Sequence, residues 1–316
     1  MASNLVLDNS NINTDNKMVI HKHESFCLRK GWLHKGIMYI KDNPNPSFTG
    51  YEACDELGIG KNMVKSLHYW LQATQMVDFS KKTPRLTSYA NIIIENDPYF
   101  IEMGTNYFVH YSLASNKNMA TSWWWLFNQH KGTTIEKTQF VSDINEFLSI
   151  YLKEGKQYSE NVLESEFSTL IRTYFEKDVV EDDPEETKIC PLTELRLIKI
   201  RSNISGKKIY TKVQPDKDDI DIYILFGIIC HNLKQNSDEI LINELLTGDN
   251  NIGKIFNLDK TTIFYLIEKI QSANLIKITR TAGLDTIRIH ERYTIETCLK
   301  RYYDSIKRGG HKCQSI

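Results

Sequence analysis

After Gly60, Met63, Val64, Leu67, Trp70, Leu71 and Thr74 recur at three- and four-residue steps, the spacing of one buried side of an amphipathic helix. Gly58 and Gly60 relieve the backbone between this helix and a shorter one read over YEACDELG. Downstream, MVDFS and PRLTSYANIII read as two strands around the polar turn KKTP. Helix, tight turn, helix and two-stranded wing is the order of a winged helix-turn-helix. A helical hairpin that only packs would leave the same pattern.

The order returns near the C-terminus. Asp219 to Lys234 reads as a buried helix, and DEILINELL, GDNNIGKIFNL, DKTTIFYLIEKIQSANL and the pair LIKITR and TIRIH then repeat helix, helix and wing. Asp259 suits an N-cap, Ile263, Leu266, Ile267 and Ile270 form the buried stripe, and TAGLD turns the second wing.

Between the two units lies an aromatic-rich helical stretch with Trp123, Trp124 and Trp125. Consecutive helical residues point about 100° apart, so these rings cannot form one stacking platform and are expected to pack between helices. Two or three helices follow from about Ser142 to Lys177, then the acidic run VVEDDPEETK, expected to be solvated. LTELRLIKI and KKIYTKV read as a helical turn and short strands.

The expected fold is mainly α with small β wings: two winged-helix-like units joined by a helical middle. Its parts are a flexible tail (1–18), an N-terminal winged-helix-like domain (19–95), a helical middle domain with an acidic linker (96–190) and a C-terminal winged-helix-like domain (191–316).

Composition changes this picture in one respect. A net charge of −1 over 316 residues excludes a uniformly basic coat, yet the charge is unevenly spread. His21 to Ala90 carries 10 basic and 6 acidic residues, Asn250 to Ile316 carries 12 and 6, and Gln139 to Cys190 carries 5 and 13. Two basic ends flank an acidic centre. The six cysteines form no C-x-x-C pair, which suits reduced thiols in a cytoplasm. Apolar runs such as IDIYILFGIIC are too short to span a bilayer, so no membrane partner is expected.

The candidate partner is double-stranded DNA. Lys61, Asn62, Lys65, Ser66, His68 and Tyr69 would enter a major groove, and Lys81, Lys82 and Arg85 would grip phosphates from the wing. Lys260, Thr261, Tyr265 and Lys269, with Arg280 and Arg288, would add a second contact. A two-fold homodimer is in keeping with such a fold. The alternative is a non-catalytic adaptor that docks a modification or restriction enzyme through the aromatic middle and the acidic run.

Catalytic patterns are missing. G-I-G-K-N lacks P-loop spacing, and no G-x-S-x-G, H-E-x-x-H or EF-hand pattern occurs. His21, His23 and Glu24 are the best local cluster. On an extended segment the two histidines would share a face and Glu24 would point away, which favours structural hydrogen bonding over metal binding or catalysis. The expectation is a protein that is not an enzyme and takes no metal or cofactor.

HKHESFCLRKGWLHKG, Phe48 with YEACDELGIGKNMVKSLHYWLQA, NDPYFIE, the WWWLFN segment, CPLTELRLI, GKIFNLD and TAGLD, in that order from about His21 to Tyr303, resemble a bacterial family: the domain of unknown function numbered four thousand and seven. The resemblance implies a setting. Members sit beside genes for phosphoadenosine-phosphosulfate-reductase-like proteins in loci for DNA phosphorothioation and phage defence. It thus implies an auxiliary role on plain or phosphorothioate-modified DNA, with proteins of that system as further partners.

Overall fold

A computed structural model describes residues 18–152, 157–175, 189–204, 206–281 and 284–310; the acidic run, the tip of TAGLD and the N-terminal tail to residue 17 lie outside them. α1 (Trp32–Asp42) precedes α2 (Gly50–Leu57) and α3 (Lys61–Ala73), the two helices that the sequence places at YEACDELG and after Gly60. Gly58 caps α2 in the left-handed region at φ 62°, a conformation that costs a residue with a side chain more than it costs glycine. The stripe on α3 is buried at Val64, Leu67, Trp70 and Leu71.

The next segment differs from expectation. Only β1 (Val77–Asp78) and β2 (Arg85–Leu86) pair as strands, and SYANIIIEN forms α4 (Ser88–Asn96). Its three isoleucines read as strand by propensity, but a short apolar run is equally a buried helix. The start is set by Thr87, whose hydroxyl accepts the Ala90 N–H.

α5 (Met103–Ala114) and α6 (Thr121–Asn128) follow, enclosed on every side, with polar residues such as Thr105, Asn106, His110 and Asn128 buried among the apolar ones. The three tryptophans of α6 are all buried, as core residues should be. Gly104 at the start of α5 lets another chain segment close in. Its N–H donates to the Tyr302 hydroxyl at 3.0 Å, and a Cβ there would lie 2.3 Å from Tyr302 Cζ.

β3 (Thr134–Ile135), α7 (Lys137–Ser149) and α8 (Glu160–Tyr174) complete the middle. β4 (Ile198–Ile204) and β5 (Lys207–Lys212) form a hairpin, and β3 joins it across β5 to give an antiparallel order β3-β5-β4. The chain ends with α9 (Ile222–Asn232), β6 (Glu239–Leu241), α10 (Ile242–Thr247), α11 (Ile252–Ile255), α12 (Lys260–Ser272), β7 (Ile276–Thr281), β8 (Leu284–Ile289) and α13 (Ile295–Gly310). Its sheet runs antiparallel in the order β6-β8-β7. α13 packs on α9 and on α4, and one apolar cluster runs from Trp70 through Trp123, Phe127 and Phe256 to Tyr303. The architecture is mainly α with small antiparallel sheets. Among the described residues no helix is long and apolar enough to cross a membrane.

Candidate functional site

α3 offers a narrower polar face than its sequence suggests. Lys61, Asn62 and Lys65 are exposed along its first turns. Ser66 and Tyr69, expected at a DNA groove, are instead buried at 0% and 3% exposure. The reason is tertiary: the segment before α1 closes over this side, and the His23 ring meets Tyr69 edge-on at 5.8 Å. His68 is also displaced from its expected role. It is stacked on Phe48 at 5.2 Å and meets the Phe79 edge at 4.2 Å, and burial lowers its pKa. The ring therefore pins the β1–β2 hairpin to α3. Lys81, Lys82 and Arg85 are exposed on that hairpin, with Lys81 and Arg85 in the field of Asp78.

The closed-over segment is itself unusual. His21, Glu24 and Ser25 have φ of 60°, 50° and 63°, so three residues in five occupy the left-handed region without being glycine. Such conformations persist only where the surroundings impose them, and they gather at functional sites. The imposing group is Glu166 on α8. Its Oε2 accepts the His21 N–H at 2.8 Å and the His23 Nε2–H at 2.7 Å, with both side chains of the His23–Glu166 pair fully enclosed. His23 Nδ1 accepts the Ser25 N–H at 3.1 Å, which places the ring proton on Nε2, facing the carboxylate. Burial by itself raises a carboxyl pKa; the His23 imidazole and the His21 amide outweigh it and hold Glu166 below the usual range.

Above this buried pair, His21 Nε2 lies 3.1 Å from Ser25 Oγ and 2.9 Å from Ser165 Oγ, and the two hydroxyls are 2.8 Å apart. Partial burial and the neighbouring His23 lower the His21 pKa, which favours the neutral ring and makes it a weaker base than a free imidazole. Arg172 donates to the Ser25 carbonyl at 2.6 Å, and Lys65 of α3 reaches Glu24 at 3.6 Å. The turn is thus joined to the exposed end of α3. Chemically it can pass a proton between a serine hydroxyl and an imidazole.

The C-terminal candidates divide in two. Lys260 and Thr261 are exposed at the start of α12, whose N-cap is Asp259, accepting the Thr262 N–H at 2.7 Å. Tyr265 and Lys269 are tied to Asp218, Arg280 lies 3.7 Å from Glu268, and Arg288 lies 3.2 Å from Asp238. Much of the positive charge there is locally balanced.

A family model described as "Protein of unknown function (DUF4007)" matches residues 20–303. The chain belongs to that family. Two solved structures are similar to this DUF4007 chain, both at a TM-score of 0.77. One, titled a magnesium ion-bound SspB crystal structure, is 20% identical and covers 91% of this chain and 88% of its own. The other, titled an SspB crystal structure, is 19% identical and covers 92% and 91%. The likeness is one of fold. No curated protein sequence matches.

Among the described residues of the DUF4007 chain, no group of three or more His, Cys, Asp or Glu side chains is placed to hold a metal ion. Sequence reasoning found His21, His23 and Glu24 but missed Ser25, Ser165, Glu166 and Arg172. The last three sit on α8, more than 140 positions away, and nothing local marks Glu166 among the other acidic residues around it.

Proposed function

We propose that this chain is a DNA-binding accessory protein of a bacterial DNA-modification and phage-defence system. The observation that carries the reading is the exposed set Lys61, Asn62 and Lys65 beside a lysine-bearing hairpin that His68 locks onto the same helix. Lysines there supply sequence-independent grip on phosphates, and Asn62 supplies a donor and an acceptor for a base edge. The run β6–α10–α11–α12–β7–β8, with its β6-β8-β7 sheet, supports a second winged-helix unit with α12 as recognition helix. The defence setting is the one that the family resemblance implies.

Fluorescence anisotropy at two salt concentrations, on matched plain and phosphorothioate duplexes, tests this. Affinity should fall steeply with salt, and Lys65→Ala should weaken all duplexes alike and reduce the salt slope by about 1. Asn62→Ala should narrow the gap between preferred and random sequences. Binding indifferent to salt would sink the reading.

A second reading, catalysis on the bound nucleic acid, is favoured by the strained turn that holds His21 against two hydroxyls. There Ser25 or Ser165 would give its proton to His21 Nε2 as its oxygen bonds to phosphorus, the P–O bond to the leaving sugar oxygen would break, and His21 would return the proton to that oxygen. Supercoiled plasmid incubated with and without Mg2+, the ion bound in one of the similar structures, should then be cut by wild type and not by His21→Ala or by the double variant Ser25→Ala with Ser165→Ala. An intact plasmid, or cutting that survives in both variants, removes the turn from consideration.

A further inference from the structure

The loop between β5 and α9 lies across the outward face of α12. Gln214 Oε1 accepts the Asp259 N–H at 3.2 Å and the Thr262 hydroxyl at 3.3 Å. Four residues on, Asp218 Oδ1 accepts both the Tyr265 hydroxyl and the Lys269 ammonium, each at 2.7 Å. Lys217 Nζ sits 4.1 Å from the centre of the Tyr265 ring and Lys269 Nζ 4.9 Å from it.

One carboxylate oxygen therefore occupies a point faced by a phenol hydroxyl and an ammonium, with a second ammonium on the same ring. A hydroxyl and a lysine converging on one anionic oxygen form the donor set that nucleic-acid-binding helices present to a backbone phosphate. Asp218 responds to these donors: the Lys269 and Tyr265 hydrogen bonds hold its carboxyl below the usual range. The contact is nevertheless open to solvent, with Lys269 and Asp218 side chains 40% and 57% exposed, and an exposed ion pair is readily exchanged for another. Other charges lie nearby, among them Asp216 of the same loop. Glu268 is met by Arg280, Lys260 lies over the Phe264 ring at the other end of the helix, and Asp219 extends the acidic loop.

We propose that Tyr265, Lys269 and Lys217 form a subsite for a phosphodiester of the nucleic-acid backbone, and that Asp218 is its intramolecular occupant. The loop then competes with the duplex for α12 and holds the second contact in reserve. This rests on the DNA-binding reading and adds its regulation.

Anisotropy titration of a labelled duplex compares wild type, Asp218→Asn, Lys269→Ala and the double variant, with thermal melting as a check that each is folded. Asp218→Asn should tighten binding by up to about fivefold, the factor that an exposed ion pair can hold back. The double variant should bind no tighter than Lys269→Ala. Asp219→Asn, which removes an equal charge from the same loop, should give a clearly smaller gain. Wild type that binds while Asp218→Asn brings no gain, a gain that survives Lys269→Ala, or an equal gain from Asp219→Asn each overturns the subsite alone. Failure of wild type and Asp218→Asn to bind any duplex overturns the DNA-binding reading as well.

Discussion

Replacing Glu166 by alanine is expected to remove about 2–6 kcal/mol of folding stability, the cost of leaving two hydrogen-bond donors unpaired at roughly 1–3 kcal/mol each. The carboxylate serves two enclosed donors, His23 Nε2–H at 2.7 Å and His21 N–H at 2.8 Å, and alanine would leave both without a partner. It also holds His21 in its left-handed conformation, so the turn should relax once the acceptor is gone. Glu166→Gln keeps an oxygen acceptor and should lose less. Urea unfolding measures this as a lower midpoint at constant slope. The pH dependence has a definite sign. A carboxyl held below its usual pKa stabilises the fold above the unfolded value, near 4.5, and that stability is lost as pH falls through the folded value. If Glu166→Ala shifts stability by less than 1 kcal/mol, the pair does not hold the turn.

The importance of Glu166 was invisible in the sequence for a physical reason. Periodicity reports which face of a helix is apolar, and it located α3, α9, α12 and the buried tryptophans because their neighbours in sequence are their neighbours on the helix. A glutamate enclosed at the centre of α8 carries no such sign; its partner is 143 residues away and only the fold joins them. The same limit explains Ser66 and Tyr69. Both fall on the polar face of α3 by spacing, yet both are buried, Tyr69 against the His23 ring of the turn before α1, a contact that no window of α3 contains. β3 was missed likewise, since two residues form a strand only because β5 offers an edge. At α4 the signal was present but ambiguous: three isoleucines suit strand and buried helix alike, and the Thr87 cap decides between them. Asp218 shows the reverse. α12 and its exposed polar positions were read correctly as a helix face, and what the sequence withheld was the loop lying across it.

Acidification from pH 7 to about 4.5 should destabilise the protein, with His110 as the largest single cause. This ring is fully enclosed on α5. Its Nε2 donates to the Ile255 carbonyl of α11 at 2.8 Å, and its Nδ1 accepts the Tyr174 hydroxyl of α8 at 2.8 Å. Both nitrogens are thus satisfied in the neutral form, and a second ring proton would meet a hydroxyl already donating. Burial pushes the pKa down from 6.5 to about 4, only partly opposed by the Ile255 carbonyl. Between those values the unfolded chain binds a proton that the folded one refuses. Stability therefore falls as pH drops from about 6.5 to about 4, by about 3.5 kcal/mol at 1.4 kcal/mol per unit. His68, His130 and His231 are shifted the same way by burial and add to the loss. Urea midpoints across this range would measure it. His110→Gln starts from lower stability, because an amide cannot match both bonds, but its curve should lose about one proton's worth of slope between pH 6.5 and 4. The slope is the decisive quantity, since a purely structural role for His110 would lower the whole curve without flattening it.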